Sequence, residues 1–361
     1  MLEHGYAIIM AGGKGERFWP LSTSARPKQL LSLVGDKPLL AQAVDRIRGL
    51  FPVDHVYIIT NAALVKATRE VVPDLPPENI VGEPCGRDTA AAIAVGAGLV
   101  QARDPKAAFC VLTADQVMQD VELFRETLTE GLALALKRDV LITIGIKPTY
   151  PSTGFGYIES GAPVHAGGRI TFLEGKRFME KPDGATATRF VESGKYYWNA
   201  GMFIWSNASI RKAFGACRPP LAALMDKVAA VGAGAALDQL MAAEYPALER
   251  ISIDYAVMEK STNIVMAQGL FRWDDVGSWP ALEGHFPKDA AGNVLVGDCE
   301  QVDTQGSIVV SNGRLTALLG VKDVIVVQAD GVTLVCAKDR AQDIKKLVQQ
   351  VVRVGTHDAL L

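Results

Sequence analysis

Cysteine, histidine and net charge are all in short supply in this 361-residue chain, and it has no long apolar run. The five cysteines, Cys85, Cys110, Cys217, Cys299 and Cys336, are odd in number, widely spaced and form no CxxC. That spacing argues against a disulfide framework or a thiolate metal site and leaves buried or idle thiols. The five histidines are scattered, so neither zinc nor a Cys–His nucleophile is indicated. A formal net charge of −3 gives no footprint for nucleic acid or for a membrane surface, while leaving room for a local basic pocket. No apolar run approaches the ~20 residues that a membrane helix needs. The start, MLEHGYAIIMAGG, lacks the basic segment and small-residue cleavage site of a signal peptide. It runs straight into a glycine-rich loop, so the expectation is a mature start and a cytoplasmic protein. Repeats and low-complexity tracts are missing too.

What remains is globular composition, with 49% apolar and 21% charged residues. In the first half, short Val- and Ile-rich runs (6–12, 55–61, 107–115 and 140–146) suit strands buried on both faces of a sheet. Helical patterns lie between them at 36–51, 87–104 and 121–139, with Asp88 or Thr89 expected as the N-cap of the second. Strand–helix alternation of this kind predicts an α/β fold: a Rossmann-like nucleotide-binding domain with a mainly parallel central sheet. From about 150 to 285 the order loosens into a mixed-sheet half that completes a pocket. A polar, Gly- and Pro-bearing break near 285–295 precedes short β-like pieces and a closing helix at 339–352. The expected division is therefore a catalytic domain at 1–285 and a small β-rich C-terminal domain at 286–361, a left-handed β-helix being one form it could take.

The glycine-rich stretch YAIIMAGGKGERFWPLSTSARPKQLL (6–31) follows a strand, the setting of a phosphate-binding loop. It is not a P-loop, because GxxxxGK[ST] is absent. It is not a dinucleotide fingerprint either. Gly13 and Gly15 fit the first two positions, but Phe18 stands where the third glycine belongs and Pro20 blocks a continuous helix. The loop is expected to be long and open. Arg17 and Lys28 beside a bed of backbone N–H groups would suit a polyphosphate, above all a departing pyrophosphate.

The wider pattern, G-x-G-x-R followed by Pro27-Lys28-Gln29, resembles the sugar nucleotidyltransferases (nucleoside-diphosphate-sugar pyrophosphorylases). The form GERFWPLSTSARPKQ resembles their branch that uses mannose-1-phosphate and GTP. EPCGRDTAAAI (83–93), TADQ (113–116), TGFGYIE (153–159), RFMEKP (177–182), WNAGMFIW (198–205), SIDYAVMEK (252–260) and WDDVGSW (273–279) are similar to family motifs, in family order. Thr113, Gln116, Asp88 and Ala200 depart from the usual residues.

The resemblance implies attack by a sugar-phosphate oxygen on the α-phosphorus of a nucleoside triphosphate, with release of pyrophosphate. It implies Arg17, Lys28, Lys181, Asp115 and Asp275 as the catalytic set, with Asp115 and Asp275 holding Mg2+ and Asp274 competing for that place. Ala11, Gly12, Gly13, Gly15, Glu83, Arg87 and Thr89 would bind the nucleotide. Gly156, Glu180, Lys181, Asn199 and Gly201 would bind the sugar phosphate, Lys181 being projected by the extended backbone usual before a proline and Asn199 offering both a donor and an acceptor to hydroxyls. A homodimer is one state open to the chain, the sequence leaving the oligomeric state undetermined, and a chain ending at Leu361 is expected to lack the isomerase domain of some longer members. Another base or sugar is the alternative within the class. A non-catalytic homologue would have no need to keep all five catalytic side chains.

Overall fold

The structure, a computed structural model, describes residues 3–329 and 331–355. The four expected runs form strands β1 (Gly5–Ala11), β2 (Val56–Asn61), β4 (Ala108–Thr113) and β5 (Leu141–Ile146), with β3 (Ile80–Glu83), which the hydrophobic pattern did not mark, between the second and third; all are buried along nearly their whole length. Four more, β6 (Tyr157–Val164), β7 (Phe172–Met179), β8 (Tyr196–Ser206) and β9 (Ile264–Gly269), complete one nine-stranded sheet. Its order is β3-β2-β1-β4-β8-β5-β9-β7-β6. The pairs among β3, β2, β1 and β4 are parallel, as is β5 with β9. β8 runs antiparallel between β4 and β5. The sheet is thus parallel where strands and helices alternate and mixed beyond.

Three helices were expected between the early strands. The first is the shorter α1 (Leu39–Ile47): Pro38 precedes it, and Gly49 in left-handed backbone (φ 83°) follows. The second is α2 (Asp88–Arg103), buried on nearly all sides, as its Ala- and Gly-rich composition requires. The third is α3 (Val121–Ala135).

Contacts divide the chain into two interleaved units. The first comprises the chain up to Gly12, Ala43–Ala114 and Met118–Trp273, and it holds the large sheet. Its core joins Ile8, Tyr57, Phe109, Trp205 and α2 to α4 (Pro219–Val231). The second comprises Gly13–Gln42, Asp115–Val117 and Asp274–Leu361. Here β10 (Val294–Val296), β12 (Ile308–Ser311) and β14 (Val324–Ala329) stack in parallel, one coil upon the next, while β11 (Cys299–Val302) pairs in parallel with β13 (Thr316–Leu319). Successive parallel pairs of this kind make a β-helix-like unit. β15 (Val332–Ala337) closes it antiparallel to β14. The closing helix starts as a tight turn over Lys338–Asp343 and continues as α5 (Ile344–Val354), which Gly355 ends in left-handed backbone (φ 69°). Among the described residues no helix is long and apolar enough to cross a membrane.

Candidate active site

In the second unit the glycine-rich loop leads into a single tight turn, Glu16–Phe18. Gly15 sits at φ 65°, and a Cβ there would lie 2.9 Å from the Lys28 backbone nitrogen. A side chain at position 15 is therefore excluded twice, by conformation and by space. Ser22 Oγ donates to the Gly15 carbonyl at 2.6 Å and pins the loop. Phe18 and Trp19 anchor it in the unit's core beside Trp279 and Leu31.

This packing holds Lys28 almost wholly buried, at 5% exposure. Its Nζ donates to Asp115 Oδ2 at 3.1 Å and to the Asp275 carbonyl at 2.6 Å. Arg17 donates to the Gly277 carbonyl at 3.2 Å. The structure thus brings Arg17, Lys28, Asp115 and Asp275 together from three stretches of chain. Burial, with Asp274 and Asp115 nearby, pushes the Asp275 carboxyl up from its ordinary pKa, and Lys28 offsets this only in part. Asp274 faces other work. Its Oδ1 accepts from the Val276 N–H at 2.7 Å and its Oδ2 pairs with His285 Nε2 at 2.9 Å. Of the neighbouring aspartates, Asp275 is the one that shares a site with Asp115. The Asp115 carboxylate meets Lys28 directly and the Asp275 carboxylate lies within electrostatic reach of both; two such hard oxygen donors fit Mg2+, which takes one or two carboxylates and completes its shell with phosphate and water.

In the first unit, a cavity of about 460 Å3 is lined by Asp88, Thr89, Glu180, Lys181, Arg250, Ile251, Ser252, Asp254 and Tyr255. Of the expected sugar residues Glu180 and Lys181 line it, while Gly156 and Asn199 stand behind Glu180 and Asp254 and Gly201 behind Asn199. A Cβ on Gly156 would crowd Glu180 Oε2 and touch Asn199, so a side chain there would force Glu180 to move. Asn199 comes from β8, whose register against β5 shifts between Thr143 and Gly145, and Gly201 lies within the resulting bulge of β8 at φ 69°. Lys181 Nζ donates to Glu180 Oε1 at 2.6 Å. Burial works against the Lys181 ammonium, but Glu180 outweighs it and raises the amine's pKa.

Three expectations need correcting. Lys181 is not extended: its φ is 45°, left-handed backbone that the following proline disfavours, so its aim is set by tertiary context. Asn199 has no acceptor to offer, because Thr143 Oγ1 and the Gly201 N–H both donate to its Oδ1, at 2.8 and 3.3 Å. Its Nδ2 donates to Asp254 Oδ1 at 2.9 Å. The start of α2 has no side-chain cap either. Asp88 lies at φ 64°, bonded only one residue on, to the Thr89 N–H at 2.8 Å. Segment 251–253 is laid across the helix end instead. The Ala90 N–H donates to the Ile251 carbonyl, the Ile251 N–H to the Arg87 carbonyl and the Ile253 N–H to Thr89 Oγ1, at 3.2, 3.3 and 2.9 Å.

Asp254 follows that segment into the cavity. Burial first, and Glu180 second, push its carboxyl up to about 7. The motif SIDYAVMEK was legible, but nothing in its sequence distinguished this aspartate from a helix cap. Glu83 is buried below Gly12, whose Cβ would stand 3.2 Å from Glu83 Oε2, and Tyr245 donates its O–H to Glu83 Oε1. Burial raises Glu83 to about 7 as well. Arg87 donates to the Pro246 carbonyl. Ala11 ends β1, with Gly12 immediately after it.

The nucleotidyl transferase family model matches residues 6–292, and a model of the mannose-phosphate isomerase/GMP-like β-helix domain matches 297–351. A mannose-1-phosphate guanylyltransferase of Escherichia coli (strain K12) is 35% identical over 359 residues, 98% of this chain and 74% of that protein. The xanthan biosynthesis protein XanB of Xanthomonas campestris pv. campestris (strain B100) is 36% identical over 357 residues, again 98% and 74%. Among solved structures, one described as a mannose-1-phosphate geranyltransferase from Thermus thermophilus superposes with a TM-score of 0.85 at 34% identity, covering 96% of this chain and 99% of that one.

Proposed function

We propose, from the premise that this chain belongs to the nucleotidyl transferase family, that it is a mannose-1-phosphate guanylyltransferase, joining mannose-1-phosphate and GTP into GDP-mannose with release of pyrophosphate. The names of relatives about as similar as those above, matched over nearly the whole chain, support the substrates. The observation that carries the reaction class is the buried Lys28 ammonium held between Asp115 and the Asp275 carbonyl. A lysine loses its hydration on burial and is kept where a fixed positive charge is needed.

No covalent intermediate is required. The task is to bring two polyanions together and to stabilise the charge that moves onto the leaving group. In this reading Arg17 and Lys28 neutralise the departing pyrophosphate, while the N–H groups of Gly13 and Gly15 cradle it. Glu83, Arg87, Thr89 and the turn at Ala11 and Gly12 receive the nucleoside. Lys181 exchanges its Glu180 partner for the sugar phosphate, and Glu180, Asn199, Gly156 and Gly201 shape the sugar pocket. Asp115 and Asp275 would hold Mg2+, which, when bound, supplies Lewis-acid stabilisation of phosphate oxygens. The location we propose is the cytoplasm, and the state a homodimer.

Pyrophosphate release measured over a grid of nucleoside triphosphates and sugar-1-phosphates tests the proposal. GTP with mannose-1-phosphate should give the highest kcat/KM. A better pair elsewhere in the grid would overturn the substrate assignment, and silence over the whole grid would overturn the reaction class.

A further inference from the structure

The cavity of the first unit holds more acceptor capacity than the expected residues supply. A sugar ring brings hydroxyl hydrogens that need acceptors. Asn199 cannot provide one, since both lone pairs of its Oδ1 are taken by Thr143 and Gly201. One oxygen of Glu180 holds Lys181, and the other lies against Gly156. Asp254 is different. A carboxylate has about four acceptor positions. The Asn199 amide takes one of them, the Asp254 backbone N–H a second and the Ser252 side chain a third. That leaves about one acceptor position on a carboxylate, and Asp254 lines the cavity together with Lys181 and Thr89. Its backbone is fixed by the Ile253 N–H bond to Thr89 and by the Ser252 cap, so the carboxylate is preorganised.

We propose that Asp254 is a specificity residue that accepts a ring hydroxyl of the bound sugar, and that Asn199 is the positioning residue that aims it. The inference rests on the reading of the chain as a sugar nucleotidyltransferase. The division of labour is chemical. Lys181 meets the phosphate dianion, and Asp254 reads one hydroxyl at a distance from it. A carboxylate acceptor discriminates more sharply than an amide would, because hydrogen bonds to charged groups are the stronger kind. A sugar lacking the hydroxyl, or bearing it with the opposite configuration, leaves that acceptor buried and unpaired.

The test is a cycle between enzyme and substrate. Calorimetric titration at pH 8, where Asp254 is mostly ionised, measures mannose-1-phosphate and its single-position deoxy analogues against the unmodified protein and Asp254→Asn. Against the unmodified protein, one deoxy position should weaken binding by roughly 10- to 100-fold. Asp254→Asn should weaken the parent sugar phosphate by a similar factor, show no further loss with that one analogue, keep the usual losses at the other positions, and bind GTP unchanged. Losses that add at every position, or full affinity of Asp254→Asn for the parent, would overturn the inference. Asp254→Ser, which leaves room for water, repeats the cycle should the asparagine variant fail to fold. If another sugar phosphate is the substrate, the functional reading fails separately, and the cycle is run on the deoxy series of that sugar.

Discussion

Asp274 and Asp275 are adjacent, chemically identical and differently employed. Asp274 spends both carboxylate oxygens on its own turn, on the Val276 N–H and His285. Asp275 gives its carbonyl to Lys28, and its carboxylate lies within electrostatic reach of Lys28, Asp115 and Arg17. The two substitutions should therefore separate. Asp275→Asn should lower kcat by roughly 10²–10³, the scale of removing one preorganised electrostatic group, with the urea midpoint nearly unchanged. Asp274→Ala should instead lower stability by about 1–3 kcal/mol, the cost of leaving buried donors unpaired, with a smaller loss of kcat. Turnover assays beside urea titrations check the pair, and the opposite pattern would mean that Asp274 is the functional carboxylate. At this scale the sequence marked Arg17, Lys28 and Asp115 as candidates, and the structure brings them together around the glycine-rich loop. The sequence was silent where a residue's task depends on a partner distant along the chain. Asp254 is defined by Asn199, 55 residues away. The φ of Lys181 follows from packing that no local rule foresees.

Among the elements, α2 shows packing overriding propensity. It carries Gly96 and Gly98 in its interior, where alanine would favour a helix by about 1 kcal/mol. Yet a Cβ on Gly96 would stand 2.8 Å from Ile8 of β1, and one on Gly98 2.7 Å from the Met225 carbonyl of α4. Both glycines let the helix approach its neighbours closely. Gly98→Ala should thus destabilise, by about 1–3 kcal/mol, the usual cost of overpacking, with the loss read in urea unfolding followed by circular dichroism. Stabilisation would show that propensity wins. Because α2 starts at Asp88 and Thr89, any shift of its axis also moves one wall of the cavity, and a raised KM for the sugar phosphate should accompany the lost stability. The strands that alternate with helices were readable, since continuous Val and Ile runs report burial directly. The place of β8 was not. A strand of 11 residues crossing between β4 and β5 is set by pairing partners, and hydrophobic pattern does not name partners.

Over the whole molecule, one core spans segments that a linear reading assigns apart. Phe18, Trp19 and Leu31 of the glycine-rich loop pack in one cluster with Ile308, Ile325, Leu334 and Ile344 of the β-helix-like unit. Gly, Pro and polar residues mark a break near 285 in the sequence, whereas the last segment of the second unit begins at Asp274. That the loop shares its core with the C-terminal coils was not visible, since contacts separated by about 300 residues leave no local trace. The physical consequence is cooperativity. Residues that bury the same apolar surface open together. Ile325 is fully buried, and Ile325→Ala should cost about 2–5 kcal/mol, the range for deleting a core isoleucine. Native-state hydrogen exchange should then show amides of Phe18, Leu30 and Leu31 losing protection in step with those of β14, although position 325 is nearly 300 residues downstream of the loop. The Lys28 ammonium would lose its fixed position in the same event, so kcat should fall without any substitution among the charged residues. Exchange confined to β14, with the loop amides as protected as before, would show that the loop holds its shape independently of the coils.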